Sequence, residues 1–216
     1  MSTVFEWLCT SDRIVALLLV PLAGWLLLSG VDDLILNFVF VLQWLRERGE
    51  RGRLPSEEEL ASCPERLIAI FVPAWKEHKV IGRMLEHNLA TIRYRNVHFF
   101  VGVYPNDELT VAAVEDVEQR FPNVHLALTT RPGPTSKADC LNCVYRRLQE
   151  FEAERGIRFE VLVTHDAEDL IHPSALQWIN LLSRKFDMVQ IPVIPLATPI
   201  WKLVHGIYCD EFTECH

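Results

Sequence analysis

Short apolar runs alternate with longer stretches of helical periodicity from residue 67 onward. Five runs are predicted as strands, namely Leu67–Val72, Val97–Val103, Val124–Leu128, Phe159–Thr164 and Met188–Val193. The helices predicted between and after them are Glu77–Ile92, Glu108–Phe121, Lys137–Arg155, Pro173–Phe186 and Ile200–His216. This alternation predicts an α/β fold with a mostly parallel sheet and helices on both faces. Ligands of such sheets bind beyond the carboxyl ends of the strands, so the residues after each strand are the functional candidates.

The first 48 residues are predicted to form a membrane anchor. Residues 14–31 contain no formal charge, and about 20 such residues suffice for a helix to cross the hydrocarbon core. Asp32 and Asp33 interrupt the run, and a second apolar stretch covers residues 34–45. Two arrangements fit: a span followed by an interfacial segment, or one long tilted helix. The first is preferred, because two adjacent carboxylates at bilayer depth are costly.

The charges that flank the apolar run predict its orientation. Four arginines follow it and one precedes it, namely Arg46, Arg48, Arg51 and Arg53 against Arg13. The positive-inside rule then places the rest of the chain in the cytoplasm. An acidic leading segment and the lack of a small-residue cleavage site disfavour a removable signal peptide. Residues 49–64 are polar and are predicted to be a linker with room for one helical turn, followed by a domain over residues 65–216.

The net charge disfavours a nucleic-acid binder, and the cysteine spacing gives only weak support for a zinc site. The 21 basic against 29 acidic residues give 21 − 29 = −8, which disfavours a nucleic-acid binder because phosphates require clustered Lys and Arg. The six cysteines are predicted to be free thiols in the reducing cytoplasm. Cys140, Cys143, Cys215 and His216 could supply a zinc set, but no second tight ligand pair is present, so incidental thiols are the preferred interpretation.

Charged side chains recur where the predicted strands end. They are Glu77 after the first strand, Asp107 after the second, Arg131 and Lys137 after the third, and Asp166 and Glu168 after the fourth. Asp166 and Glu168 are two residues apart, so both can direct oxygens at one Mg²⁺ or Mn²⁺ ion. Lys137 could contact a phosphate. Each also has a local interpretation: Asp107 could cap the following helix, and Lys137 could be solvated surface. Their shared edge favours a site.

Other nucleotide and hydrolase motifs are not met. The sequence has no G-x-G-x-x-G, no complete P-loop, no G-x-S-x-G and no H-E-x-x-H. A nucleotidyltransferase would open with a Gly-rich basic loop after the first strand. Here that loop is Pro73-Ala74-Trp75-Lys76-Glu77, without glycine.

Four segments at the strand ends carry a family resemblance, namely Phe71–Glu77, Tyr104–Asp107, Ser136–Asn142 and Asp166–Asp169. Through them residues 65–216 resemble the family 2 glycosyltransferases with the GT-A fold, in particular membrane-bound, cellulose-synthase-like members of the bacterial inner membrane. The resemblance implies that Glu77 lies near the nucleoside and that Asp107 contacts a uracil-type base. It also implies that Lys137 sits by the diphosphate and that Asp166 and Glu168 hold a divalent metal, Mg²⁺ or Mn²⁺.

The same resemblance implies the reaction and the partners. A sugar would pass with inversion from a nucleotide-diphosphate donor, a UDP-sugar first of all, to a glycan or surface-polysaccharide acceptor. The implied setting is a lipid bilayer, with an outer-membrane protein as a further partner. The family's acidic base motif is missing, so the chain is expected to be an amino-terminal fragment with its base beyond residue 216. Glu211 resembles a glutamate on the helix after the fifth strand. The alternative is a non-catalytic envelope scaffold or receptor component that retains the domain.

Overall fold

The computed structural model describes residues 2–47 and 55–194, and the chain divides into two compact units, residues 1–54 and 55–216. The first unit contains one helix, α1, over Ser2–Glu47. Its segment Leu17–Arg46 is long and apolar enough to cross a membrane, by length and composition. The large apolar side chains described along it are exposed, as in Leu17 and Trp25 at 73% each.

Asp32 and Asp33 interrupt the apolar run but not the helix, because α1 continues through both residues. An aspartate inside a helix lowers helix propensity by only about 0.7 kcal/mol or less, and its side chain removes no backbone hydrogen bond. The helix is therefore one element, as in the second of the two arrangements.

The predicted linker contains a short capped helix, α2, over Glu57–Ser62. Ser56 Oγ accepts a hydrogen bond from the Glu59 backbone N–H at 3.2 Å, and Glu59 Oε2 accepts one from the Ser56 N–H at 2.7 Å. This reciprocal pair satisfies backbone donors that a helix start otherwise leaves unpaired. Residues 55–194 then form an α/β domain.

Four parallel strands form the sheet in the order β3-β2-β1-β4. They are β1 Ile68–Pro73, β2 Val97–Val103, β3 Val124–Leu128 and β4 Val161–Thr164. The helices that follow are α3 Ile81–Thr91, α4 Glu108–Arg120, α5 Lys137–Arg155 and α6 Ala175–Leu182. The chain moves outward from β1 to β3 and then crosses back to β4 on the other side of β1. The strand order therefore diverges to opposite sides of β1 at this point in the sheet.

Two apolar clusters cover the two faces of the sheet, because successive strand residues point to opposite sides. On one face the strands pack against α3, α4 and α6, through fully buried residues such as Ile70, Leu85 and Val114. On the other face Phe71 and Phe100 of the strands pack against α5 around Leu148. Helices thus lie on both faces, as predicted.

Some predicted bounds differ from the structure by up to four residues, one predicted strand does not form, and one predicted helix lies outside the described residues. Residues 77–80 form a turn in which the Glu77 carbonyl accepts from the Val80 and Ile81 N–H groups at 3.0 and 2.9 Å, so α3 begins at Ile81. Met188–Val193 was predicted as a fifth strand and is not one, because a run of apolar residues becomes a strand only beside a partner. The predicted helix Ile200–His216, including Glu211, lies outside the described residues.

Candidate functional site

The candidate residues gather at the carboxyl edge of the sheet, where the strand order diverges to opposite sides of β1. Glu77 follows β1, Asp107 follows β2, Lys137 begins α5, and Asp166 and Glu168 follow β4. A crevice at such a divergence is the usual ligand site of a parallel α/β sheet. Two strand-end loops approach each other there, and their charged groups determine what could bind.

The structure brings Lys137 and Asp166 into direct contact. Lys137 Nζ lies 2.5 Å from Asp166 Oδ1, and the two side chains are 58% and 59% exposed. A pair this exposed adds little to stability, on the order of 0–1 kcal/mol. Its significance is its position, since it joins the start of α5 to the loop after β4.

Glu168 lies exposed beside this pair in sequence. Among residues 2–47 and 55–194, no group of three or more His, Cys, Asp or Glu side chains converges as a metal cluster. Asp166 and Glu168 offer the hard oxygen ligands that Mg²⁺ and Mn²⁺ prefer. Two carboxylates suit a metal that takes its other ligands from phosphate oxygens and water.

Asp169 shapes the loop that carries these carboxylates. Its Oδ2 accepts a hydrogen bond from the Asp166 N–H at 2.9 Å and lies 3.1 Å from His165 Nδ1. The Asp166 carbonyl in turn accepts from the Asp169 N–H at 3.2 Å. The hydrogen bond from His165 is the main cause that lowers the pKa of Asp169, against the opposing effect of burial. Asp169 is therefore a carboxylate that closes the turn, a role that the sequence did not reveal.

Asn88 on α3 forms hydrogen bonds to the same loop from the core of the domain. It is fully buried, its Nδ2 donates to the Asp169 carbonyl at 3.0 Å, and its Oδ1 accepts from the Ile171 N–H at 2.9 Å. This residue was missed, although a signal exists. Asn88 falls in the buried stripe of α3 with Met84 and Leu85, where a polar residue requires partners.

Asp107 holds the loop after β1. It is 8% exposed, and its Oδ2 accepts a hydrogen bond from the Lys76 N–H at 2.6 Å. Lys76 has φ 62°, in the left-handed region that side chains disfavour. Asp107 precedes α4, yet its side chain makes no capping bond there, so the interpretation as a helix cap is wrong. The carboxylate instead joins two strand-end loops.

The loops after β2 and β3 are also joined. Asn106 Nδ2 donates to the Gly133 carbonyl and Asn106 Oδ1 accepts from the Gly133 N–H, both at 2.7 Å. Trp75 and Tyr104 pack edge to face with centroids 5.1 Å apart. A Cβ at Gly133 would lie 2.6 Å from Trp75 Cζ3 and 2.7 Å from Tyr104 Cδ1, so only glycine allows this approach.

The paired cysteines lie on α5 and are both buried free thiols. Burial raises the pKa of Cys140 to about 11, so its thiol stays protonated at neutral pH. Its Sγ packs over Gly102 of β2, where an added Cβ would lie 2.5 Å away. The other members of the considered zinc set, Cys215 and His216, lie outside the described residues.

Comparison with known proteins decides the family. Residues 64–216 match the family described as Glycosyltransferase like family 2. The chain belongs to this family. The prediction from the strand-end motifs is confirmed, and with it the GT-A type of parallel sheet flanked by helices.

The curated relatives of this family 2 chain extend well beyond it. Bacteriophage adsorption protein B of Escherichia coli K12 and bacteriophage N4 adsorption protein B of E. coli O157:H7 are each 42% identical over 203 residues, 91% of this chain and 27% of theirs. The chain thus spans about a quarter of their length. A mannosyltransferase from Pyrobaculum calidifontis, solved with GDP-mannose and Mn²⁺, is 19% identical to this chain, with a TM-score of 0.45. The matched region is 67% of this chain and 39% of the mannosyltransferase chain. That similarity is too low to transfer its donor or metal.

Proposed function

We propose that the domain binds a nucleotide-diphospho-sugar at the carboxyl ends of β1 and β4, and that the intact protein transfers the sugar to a glycan acceptor. The observation that carries this proposal is the contact between Lys137 and Asp166 at 2.5 Å. A diphosphate needs a cation and a divalent metal needs carboxylates. Both kinds of group meet here, in a family 2 glycosyltransferase domain.

The acidic and basic residues have different proposed roles. Asp166 and Glu168 would hold Mg²⁺ or Mn²⁺, and Lys137 would contact the diphosphate. When bound, the metal neutralises the charge that develops on the departing diphosphate. Without ligand, Lys137 balances the charge of Asp166. Binding of donor and metal would exchange this contact for one from Lys137 to phosphate.

Glu77 would lie near the nucleoside, and Asp107 would contact its base. Asp107 supports this role by holding Lys76 and the loop after β1 in place through its 2.6 Å bond. Trp75 of that loop packs edge to face against Tyr104, which follows β2. A UDP-sugar is the preferred donor, and transfer is proposed to invert the configuration of the anomeric carbon. The base that deprotonates the acceptor is proposed to lie beyond residue 216, and Glu211 is the candidate within the chain.

The helix α1 would anchor the domain to a bilayer. Its apolar segment has 30 residues, which at 1.5 Å each extends about 45 Å, more than the ~30 Å of a hydrocarbon core. Such a helix spans with tilt or with one end in the headgroups. The arginines after it support placing the domain on the cytoplasmic side of the membrane. The proposed setting is a bacterial inner membrane, with a surface glycan as acceptor and an outer-membrane protein as partner.

A second candidate is a non-catalytic envelope scaffold, favoured by the naming of both curated relatives for phage adsorption. In that case the domain would be kept as an interaction surface, and its acidic loop would bind no donor. The two functions differ in one measurable property, which is metal-dependent nucleotide binding.

The test is calorimetric titration of UDP, GDP and CMP into the full chain in detergent, with and without Mn²⁺. The variant is Asp166→Asn, and the matched control is Asp116→Asn, an exposed aspartate paired with Arg120 at 2.6 Å on α4. We expect one nucleotide to bind only with Mn²⁺, at least about 10-fold more weakly in Asp166→Asn and unchanged in Asp116→Asn. Equal affinity in both variants would contradict the metal assignment. A folded chain that binds none of the three nucleotides would favour the scaffold.

A further inference from the structure

Asn88 is a buried side chain whose amide oxygen and amide nitrogen both form hydrogen bonds to the segment 169–171. The residue is 0% exposed within the apolar contact between α3 and the sheet. Its Oδ1 accepts from the Ile171 N–H at 2.9 Å, and its Nδ2 donates to the Asp169 carbonyl at 3.0 Å and lies 3.0 Å from Met84 Sδ. Burying an amide is unfavourable unless it is bonded, so these contacts specify where the segment must lie.

The segment that Asn88 holds is continuous with the acidic loop. Asp169 is fixed twice, by its carbonyl to Asn88 and by its carboxylate to the Asp166 N–H at 2.9 Å. The same carboxylate contacts His165, at the end of β4, at 3.1 Å. A path of two hydrogen bonds therefore runs from the interior of α3 through Asp169 to the backbone of Asp166.

Apolar packing alone does not orient this loop. Ala167 and Ile171 are buried, at 6% and 4% exposed, and they fix the depth of the segment. Asp166 and Glu168 both lie exposed. Directional bonds decide where carboxylates on an exposed loop point, and Asn88 supplies two of them from a side chain in the core.

We infer that Asn88 is a positioning residue for the carboxylates of Asp166 and Glu168, and that it thereby sets the affinity of this loop for a divalent cation. The inference rests on the proposed function, because it concerns the same cation. Outer partners of this kind typically change metal affinity or activity by 10–100-fold when they are removed. Asn88 itself would touch neither metal nor donor.

The chain offers a matched control in Asn180 on α6. It is also buried, at 1% exposed, and its Nδ2 donates to the Pro64 carbonyl at 3.0 Å while its Oδ1 accepts from Arg66 Nε at 3.2 Å. These contacts lie at the amino end of β1, the edge of the sheet away from the acidic loop. Truncating Asn180 removes a comparable pair of buried bonds without touching the proposed site.

The experiment compares Asn88→Ala and Asn180→Ala with the wild-type chain in detergent. Thermal unfolding measures the loss of stability. Calorimetry with Mn²⁺, in the presence of UDP and separately of GDP, measures metal affinity, and the same nucleotides in EDTA measure metal-free binding. We expect Asn88→Ala to weaken Mn²⁺ binding at least about 10-fold, and neither nucleotide to bind any of the three chains in EDTA. Asn180→Ala should lose comparable stability and keep the wild-type Mn²⁺ affinity.

A milder substitution covers the case in which Asn88→Ala has no cooperative unfolding transition. Asn88→Ser leaves a hydroxyl and room for a water molecule beside the Ile171 N–H, and it should weaken Mn²⁺ binding at least threefold. Mn²⁺ affinity in the folded Asn88 variants within twofold of that in Asn180→Ala would overturn the inference. If the wild-type chain and Asn180→Ala also fail to bind Mn²⁺, both the proposed function and the inference are wrong. That result is distinguishable from failure of the inference alone, in which all the chains bind Mn²⁺ with similar affinity.

Discussion

Replacing Asp107 tests whether its carboxylate holds the loop after β1. The bond to the Lys76 N–H is 2.6 Å long and its acceptor is 8% exposed. A hydrogen bond to a charged group contributes about 1.5–3 kcal/mol. Lys76 at φ 62° is disfavoured by about 1–2 kcal/mol, which the bond offsets. We expect Asp107→Ala to lower the free energy of unfolding by about 2–3 kcal/mol, and Asp107→Asn, which keeps a neutral acceptor, by about 1 kcal/mol.

A second substitution separates the bond from the backbone conformation. Lys76→Gly removes the left-handed penalty, so in the Asp107→Ala background it should restore about 1 kcal/mol. Urea unfolding of the full chain in detergent, followed by tryptophan fluorescence, measures all the variants. Glu108→Ala, an exposed neighbour in the first turn of α4, is the control. A loss in Asp107→Ala no greater than 0.5 kcal/mol beyond that control, about the scatter of ordinary surface substitutions, would refute the role of the bond.

Two further predictions concern the face of the sheet beneath α5. Gly102→Ala should lower the free energy of unfolding by about 1–3 kcal/mol, because its Cβ would lie 2.5 Å from Cys140 Sγ and 2.7 Å from Val144 Cγ2. A loss that is no smaller when both Cys140 and Val144 are replaced by alanine would contradict these clashes. Burial, followed by the neighbouring His98 at 2.9 Å, lowers the pKa of His125 to about 4. The unfolded chain therefore binds the extra proton between pH 6.5 and 4, and stability falls as pH falls, by up to about 3 kcal/mol. His125→Phe should flatten this part of the urea-midpoint profile, and an unchanged slope over that interval would count against it.

Local signals explain which elements the sequence predicted well. The bounds of α5 agree with its prediction because both ends carry cap residues. Ser136 Oγ accepts from the Asp139 N–H at 3.1 Å, and Gly156 ends the helix with φ 64°. Strands β2 and β3 also agree, since each is an apolar run between turn residues. These features are encoded within a few residues of where they act.

The remaining features depend on contacts distant in sequence. The partner of Asp107 is 31 residues away, and the bond exists only because β1 and β2 are neighbours. Asn88 reaches a segment more than 80 residues away. Met188–Val193 has the composition of a strand, yet composition does not supply the neighbouring strand that a ladder requires. The sequence located the charged groups of the site but not the bonds that orient them.

The edge that carries the candidate site consists of two separately fastened halves. The reciprocal bonds between Asn106 and Gly133 unite the loops after β2 and β3, whereas the loop after β4 is rooted in α3 through Asn88. The Lys137–Asp166 ion pair bridges the halves at an exposed position. We therefore expect each half to open locally with its own free energy. A diphosphate that engaged Lys137 and a metal on Asp166 would act as a cross-link between them, so that ligand binding slows amide exchange in both halves together.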